Sequence, residues 1–427
     1  VLAFFHSHGM MISQEKLLDT WIVGRFFKGI LLEMVYTFGF SYIMYCWFKK
    51  DPSVAVKILQ KSIYIIVCII AVYSFFELFY FFGYTWAKNV LVNVNPLLHA
   101  IKENFGWWPP LLWDSPRIRS IFPEPSQFGM YAAFFMPFIW IDILNKKRPY
   151  VKMGMAGIMS VLMFLSLSKT STALLLLEVG LLILFLFIRQ KKSLIQPCVS
   201  ILIIIIVSFG INIVCLSNYG NRPFDRITDV FSVNNGEDIP FSYKEGITGQ
   251  YVQNNIEGIT NEKEGSNGTR FAIIKNDIRV GKDNFIFGVG SNLKGAYTTN
   301  YFTDDESVIP EIHNCKNLQH TQGILKTGYP NVSEYSQRFA ENGIIGLLIY
   351  ILPIFILSFV TWRNRKKYSY TDEEINMLAC TFISLIGCFA SGGSGVLTTI
   401  HTYWILLGIM FAYVMIPKNN DTLTDRQ

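Results

Sequence analysis

The sequence predicts an all-α polytopic membrane protein with about nine transmembrane helices and a large extracytoplasmic loop. Three observations predict it. Of the 427 residues, 51% are hydrophobic and only 16% charged, and the mean hydropathy is positive, outside the usual range of soluble domains. The apolar residues gather into windows near the roughly 20 residues that cross about 30 Å of hydrocarbon, without the alternation of a half-buried strand. Lysine and arginine collect in short loops always separated by an even number of windows, the pattern of loops that share the cytoplasmic side.

The windows fall near 26–48, 61–84, 127–144, 151–168, 172–189, 196–217, 339–361, 376–390 and 399–416. The first ends on the basic "KKDPSVAVKILQK" (49–61), and "NKKRPYVK" (145–152), "RQKKS" (189–193) and "RNRKK" (363–367) follow on the same side. The intervening loops then face outward: 85–126, the short "SKTST" (168–172), the long 218–338 and "SGGSG" (391–395). Three regions result: a bundle over 1–217 with its outer loop 85–126, the large loop 218–338, and the last helices with a cytoplasmic tail over 339–427. The chain opens on Val1 and shows no charged flank with a cleavage site. Residues 1–25 therefore lie outside, and a cytoplasmic start needs an odd number of further spans before them.

The loop 218–338 is longer than a passive connector. Within it "SNGTRFAIIKNDIRVGKDNFIFGVG" (266–290) predicts a short amphipathic helix near 270–280. Thr269 is its cap, Phe271, Ile274 and Ile278 its apolar face, Gly281 its end, and "FGVG" a turn. Arg270 opens this helix. "WWPPLLW" (107–113) is read as an interfacial anchor, with stacking on sugar as the other option. Six of seven cysteines fall in or at the ends of spans, and only Cys315 sits in the long loop, so neither a disulfide framework nor a metal cluster is expected.

Three carboxylates, Glu33, Glu77 and Glu178, lie inside spans, each about two turns from the outer end. An ionised group at that depth faces a cavity or a partner. Asp142, near an inner end, is read as interfacial. On the outer side sit Arg117, Arg119, Lys169 and Arg270, each tied to a rigid element: "FPEPSQFG", the turn between two spans, and a helix start. Arginine keeps its charge and offers a planar fork that pairs with phosphate, whereas lysine supplies a point charge. An anionic lipid headgroup fits this set. Nucleic acid does not, because the basic loops are short and the large loop is not strongly basic.

Three passages resemble the Wzy-type O-antigen and capsular polysaccharide polymerases, within the superfamily of the O-antigen ligases. They are "RIRSIFPEPSQFG", "SLSKTSTALLLLEVGLL", and "GTRFAIIKNDIRVGKDNFIFGVG" followed by "EYSQRFAENGIIGLLIY", spanning roughly 117–361 in the family's order. The resemblance implies a GT-C-like, metal-independent membrane glycosyltransferase of the bacterial cytoplasmic membrane, with no cofactor and an active site on the extracytoplasmic side. Its substrates would be oligosaccharide repeat units on undecaprenyl pyrophosphate. Membrane lipids, and optionally a chain-length regulator protein, would be its other partners.

By the same resemblance Arg270 corresponds to a loop arginine that engages pyrophosphate, and Arg117 or Arg119 to the arginine before the Glu-Pro-Ser passage. Lys169 stands where an arginine is commoner. The ligases carry a histidine about eleven residues before the glycine of "ENGIIG"; here that position is Val332, which favours polymerase over ligase. Charge stabilisation of the leaving pyrophosphate would carry catalysis, with a general base optional. The base candidates are Glu124 and Glu334, each with a structural alternative: Glu124 pairing with Arg119, Glu334 capping the following span. Two other functions stay open at this point: ligase-type transfer to a different acceptor, and a transporter or flippase with Glu33, Glu77 and Glu178 as coupling groups.

Overall fold

The computed structural model describes residues 22–99, 109–113, 116–217, 265–322, 329–365, 370–398 and 400–415. The expectations for residues 1–21, Trp107, Trp108, 218–264 and the tail beyond Met415 lie outside these residues. Every regular element described is helical. Among the described residues seven helices are long and apolar enough to cross a membrane, and two shorter apolar helices, Pro149–Leu165 and Thr402–Met415, coincide with the remaining windows. The chain is an all-α polytopic membrane protein.

In chain order the helices are α1 (Ile22–Met34), a π turn (Val35–Gly39), α2 (Phe40–Phe48), α3 (Pro52–Phe81), α4 (Thr85–Leu98), α5 (Pro125–Leu144), α6 (Pro149–Leu165), α7 (Lys169–Arg189) and α8 (Lys192–Ser217). After these come α9 (Gly265–Asp283), α10 (Gly295–Thr298), α11 (Asp304–Ser307), α12 (Pro310–Gln322), α13 (Glu334–Arg365), α14 (Asp372–Ser391) and α15 (Thr402–Met415). The chain divides into two compact units, one of residues 1–55, 261–370 and 389–427, the other of 56–260 and 371–388.

In the second unit α5 is the central helix, with 83% of its apolar window buried. Pro125 starts it at a position where the missing N–H costs nothing. Close approach of α7 is allowed by Gly129, where a Cβ would meet the Cα of Ser171 at 2.7 Å. Ser168 caps α7 by accepting from the Ser171 N–H at 3.3 Å. Asp142 of α5, expected at the interface, takes the Tyr64 hydroxyl at 2.7 Å and Lys152 at 4.0 Å.

In the first unit α9 packs along the start of α13, and the segment after α9 docks on the α13 backbone. Val289 N–H donates to Ala340 O at 3.0 Å, Gly290 N–H to Glu341 O at 2.9 Å, and Ile344 N–H to Phe285 O at 2.8 Å. Two glycines make this possible. Gly288 and Gly343 have φ of +69° and +65°, and a Cβ on either would overlap the backbone of the other segment, at Glu341 and Ile286 respectively. Left-handed φ and backbone contact together select glycine.

Four expectations need correction. The outer loop 85–126 is not loop throughout, since α4 occupies its first part. The helix expected near 270–280 runs from Gly265 to Asp283, so Thr269 is a buried residue inside it and not its cap. Its buried side is Ala272, Ile273, Asn276, Asp277 and Val280, while Phe271, Ile274 and Ile278 are only half-buried. The reason is polar: Asp277 is turned inward by an ion pair, and Gly281 fits against the Phe339 ring instead of ending the helix. Cys315 is likewise buried, on α12. No disulfide joins any of the seven cysteines, all of which are described.

Candidate functional site

In the first unit the charged side chains gather around the first turns of α13. Glu334, its first residue, is fully buried, and its backbone N–H lies 2.9 Å from both Gly392 O and Gly395 O. The Ser333 hydroxyl adds a bond to Gly392 O at 3.3 Å. Thus one orphan donor of the helix start is satisfied by the 391–395 turn. The Glu334 carboxylate accepts from Arg338 Nε at 2.6 Å, one helical turn on. Arg338, 4% exposed, also places its NH1 2.5 Å from Glu33 Oε1, with its guanidinium 5.1 Å over the Tyr350 ring. Glu33 in turn accepts from the Ser291 hydroxyl at 2.8 Å. A carboxylate inside a predicted span thereby has its partner, as the cost of burying charge requires.

Beside this chain of pairs Asp277 of α9 is fully buried against Lys294 Nζ, at 2.8 and 3.0 Å, and accepts from the Ser336 hydroxyl at 3.0 Å. Arg270 lies in the second turn of α9, half-buried, and its NH1 donates to Ser394 O at 3.3 Å. Arg270 and Glu334, predicted from passages far apart in sequence, therefore meet the same turn. Arg338, Lys294 and Asp277 were missed by sequence reasoning. The signal that pointed to Arg338 was the Glu334 to Arg338 spacing of four, the ion-pair register of a helix. Lys294 and Asp277 left none, because their pairing depends on how α9 and the segment before α10 meet.

Further along α9, Arg279 forms a bidentate pair with Glu306 at 2.6 and 2.8 Å. Glu306 also completes a capping box with Thr303 at the start of α11. Burial pushes the Glu306 carboxyl up, but the Arg279 fork and the Thr303 bonds outweigh it and hold the group below the usual carboxylate range. His313 and His320 are exposed on α12. Among the described residues no group of three or more His, Cys, Asp or Glu is placed to hold a metal ion.

In the second unit the segment 117–120 lies against the end of α6 and the following turn. Ile118 N–H donates to Leu165 O at 3.1 Å, and Arg117 NH2 to Leu167 O at 2.7 Å. Lys169 begins α7 two residues beyond Leu167, so Arg117 and Lys169 flank one turn. Leu167 has a φ of +47°, and this left-handed residue turns the chain between the two spans.

Arg119 is placed differently from a headgroup ligand. It is 1% exposed, and its guanidinium donates to Leu111 O at 3.1 Å and Pro123 O at 3.4 Å. Its own backbone N–H and that of Ser120 reach the Glu77 carboxylate at 3.4 and 2.7 Å. Arg119 thus braces the 109–125 loop, and Glu77 anchors that loop to α3. Burial, followed by the nearby Arg119 charge, pulls His99 down to about 4, which keeps the imidazole neutral beside the guanidinium. Glu124 is half-buried just before α5, where its Oε2 accepts from the Ser126 hydroxyl at 3.0 Å. Glu178 of α7 is fully buried, and among the described residues neither of its carboxyl oxygens has a hydrogen-bond partner.

Residues 154–351 match a family model described as O-Antigen ligase. The match covers somewhat less than half of the chain and includes Lys169, Arg270 and Glu334; Arg117, Arg119 and Glu124 lie before it. No curated protein and no solved structure matches the chain. The match is consistent with the O-antigen ligase-related superfamily and takes in two of the three sequence passages that suggested it, "RIRSIFPEPSQFG" lying before it. The class shown is a polytopic membrane protein that is similar over 154–351 to the O-antigen ligase family.

Proposed function

We propose that this protein is a metal-independent glycosyltransferase that polymerises undecaprenyl-pyrophosphate-linked oligosaccharide repeat units into surface polysaccharide, O-antigen or capsule, at the outer face of the cytoplasmic membrane. The observation that carries the proposal is the family match over 154–351, in which Arg270 stands on a rigid helix tied to a second motif. In the reaction an acceptor hydroxyl attacks the anomeric carbon of the lipid-linked glycan, the bond to the pyrophosphate oxygen breaks, and the hydroxyl proton passes to a base or to solvent. Arg270 neutralises the charge that builds on the leaving pyrophosphate, an electrostatic contribution that operates without moving a proton.

Arg117 and Lys169 are proposed as further substrate-binding cations, with Arg119 holding the loop that carries Arg117. Of the two candidate bases, Glu124 suits the role better, being half-buried. Glu334 is fully buried and its carboxylate is already engaged by Arg338. Membrane lipids surround the bundle in this proposal, and a chain-length regulator protein remains an optional partner. A ligase reading draws on the family's description; against it, Val332 stands where the ligases carry histidine.

The test uses purified protein in lipid with undecaprenyl-pyrophosphate-linked repeat units, the products being resolved by length. Wild type gives a ladder and Arg270→Ala gives none. Single transfer without chain growth would point to a ligase. Well-folded wild type that produces no ladder from the correct repeat unit overturns the polymerase, and export of unaltered glycan in proteoliposomes would replace it by a transporter.

A further inference from the structure

The "SGGSG" passage has no role in the proposal above, where it is only a connection between α14 and α15. Its contacts in the first unit say more. Phe389 O takes the Tyr335 hydroxyl, Gly392 O takes the Ser333 hydroxyl and the Glu334 N–H, and Gly395 O takes the same N–H. The carbonyl between them, Ser394 O, takes Arg270 NH1. Backbone carbonyls of one turn thus hold both the start of α13 and the guanidinium on α9.

The turn is also fixed from within. Ser394 N–H donates to Ser391 O at 3.0 Å and Gly393 N–H to Ala390 O at 3.0 Å. Gly392 is tightly packed: a Cβ there would sit 2.9 Å from Leu397 Cδ1 and 3.1 Å from the Tyr335 ring. A side chain there displaces Leu397 and the Tyr335 ring, whose hydroxyl anchors Phe389 O, or the turn itself.

We infer that the 391–395 turn is a positioning element for Arg270, so that Gly392 acts on the lipid-linked donor through the arginine it aims. The turn touches no substrate. Its carbonyl fixes one arm of the guanidinium, and a long side chain fixed at one arm loses less rotamer freedom when it meets a phosphate. This inference rests on the proposal that Arg270 engages the pyrophosphate.

A double-mutant cycle tests it, with full-length protein in nanodiscs and undecaprenyl pyrophosphate as the probe, scored by binding without turnover. Gly392→Ala and Arg270→Ala each weaken binding, by about tenfold or more for loss of a charge-assisted contact. The double variant then binds no worse than Arg270→Ala, because the turn has no arginine left to aim. Tyr335→Phe, which removes only the hydroxyl anchor to Phe389 O, gives a smaller loss in the same direction and guards against misfolding of the glycine variant. Losses that multiply in the double variant, or a Gly392→Ala protein that binds like wild type, overturn the inference. Binding left unchanged by Arg270→Ala alone overturns instead the role of Arg270 beneath it.

Discussion

Arg338→Met tests the charge network of the first unit most directly. The side chain is 4% exposed and lies between Glu334, which is fully buried, and Glu33, whose side chain is 27% exposed. Removing the cation leaves the Glu334 carboxylate without its partner in a site that water does not reach. Breaking one side of such a buried pair costs about 3–5 kcal/mol. Glu33 keeps the Ser291 hydroxyl and some solvent, so most of the loss belongs to Glu334. At 1.4 kcal/mol per decade this lowers the folded to unfolded ratio by about two to three and a half orders of magnitude. The assay is equilibrium unfolding of the protein in lipid, followed by tryptophan fluorescence. Arg338→Met with Glu334→Gln then recovers most of the loss, because the neutral amide no longer needs a cation. A single variant that loses less than about 1 kcal/mol, the scale of an exposed pair, would refute the network. So would a double variant no more stable than the single.

Three further predictions follow from other sites. Gly343→Ala places a side chain at φ +65° against the Ile286 backbone, and unfolding measurements should show a loss of more than about 1 kcal/mol; an unaffected protein would mean that the contact between 285–290 and 340–345 does not form. At Glu178, exchange for Leu should be tolerated or stabilising, since an unpartnered buried carboxyl is replaced by a side chain of similar size. By contrast Gly387→Ala, whose Cβ would lie 2.6 Å from Glu178 Oε1, should destabilise by about 1–3 kcal/mol, and thermal shifts of opposite sign would read the difference. For the pair of Arg279 and Glu306, the carboxyl is held below its ordinary value. Its contribution is therefore complete above the unfolded carboxylate range and is lost as pH falls through the lowered folded value. Wild type should lose protection of amides around α11 on acidification to that range, whereas Glu306→Gln should show less protection at neutral pH and a flatter profile; identical profiles would exclude the pair as a source of stability.

Sequence by itself determined the membrane class, the places of the apolar helices and the likeness to the O-antigen ligase family over 154–351, because each depends on the one-dimensional distribution of apolar residues or on short passages in order. Window lengths carry the cost of hydrocarbon crossing directly, and so each of the nine windows coincides with an apolar helical segment among the described residues. The flanking of one turn by Arg117 and Lys169 was not legible, since the sequence suggested only a shared side for the two and the contact of Arg117 with Leu167 O depends on how 117–120 packs on the end of α6.

Tertiary structure decided which charges are buried against which. The apolar positions Phe271, Ile274 and Ile278 suggested one face of α9, yet the buried face carries Asp277, because Lys294 and Ser336 offset its desolvation. Arg119 and Arg117 look equivalent two residues apart, and only the carbonyls of Leu111 and Pro123 make the first a brace. The same holds for the three intramembrane glutamates: Glu33 meets an arginine, Glu77 two backbone N–H groups, and Glu178 neither. Hydrophobic burial depends on composition along the chain and can be read from it, whereas a buried charge is stable only with a partner at about 3 Å, and that distance exists only once the helices have packed.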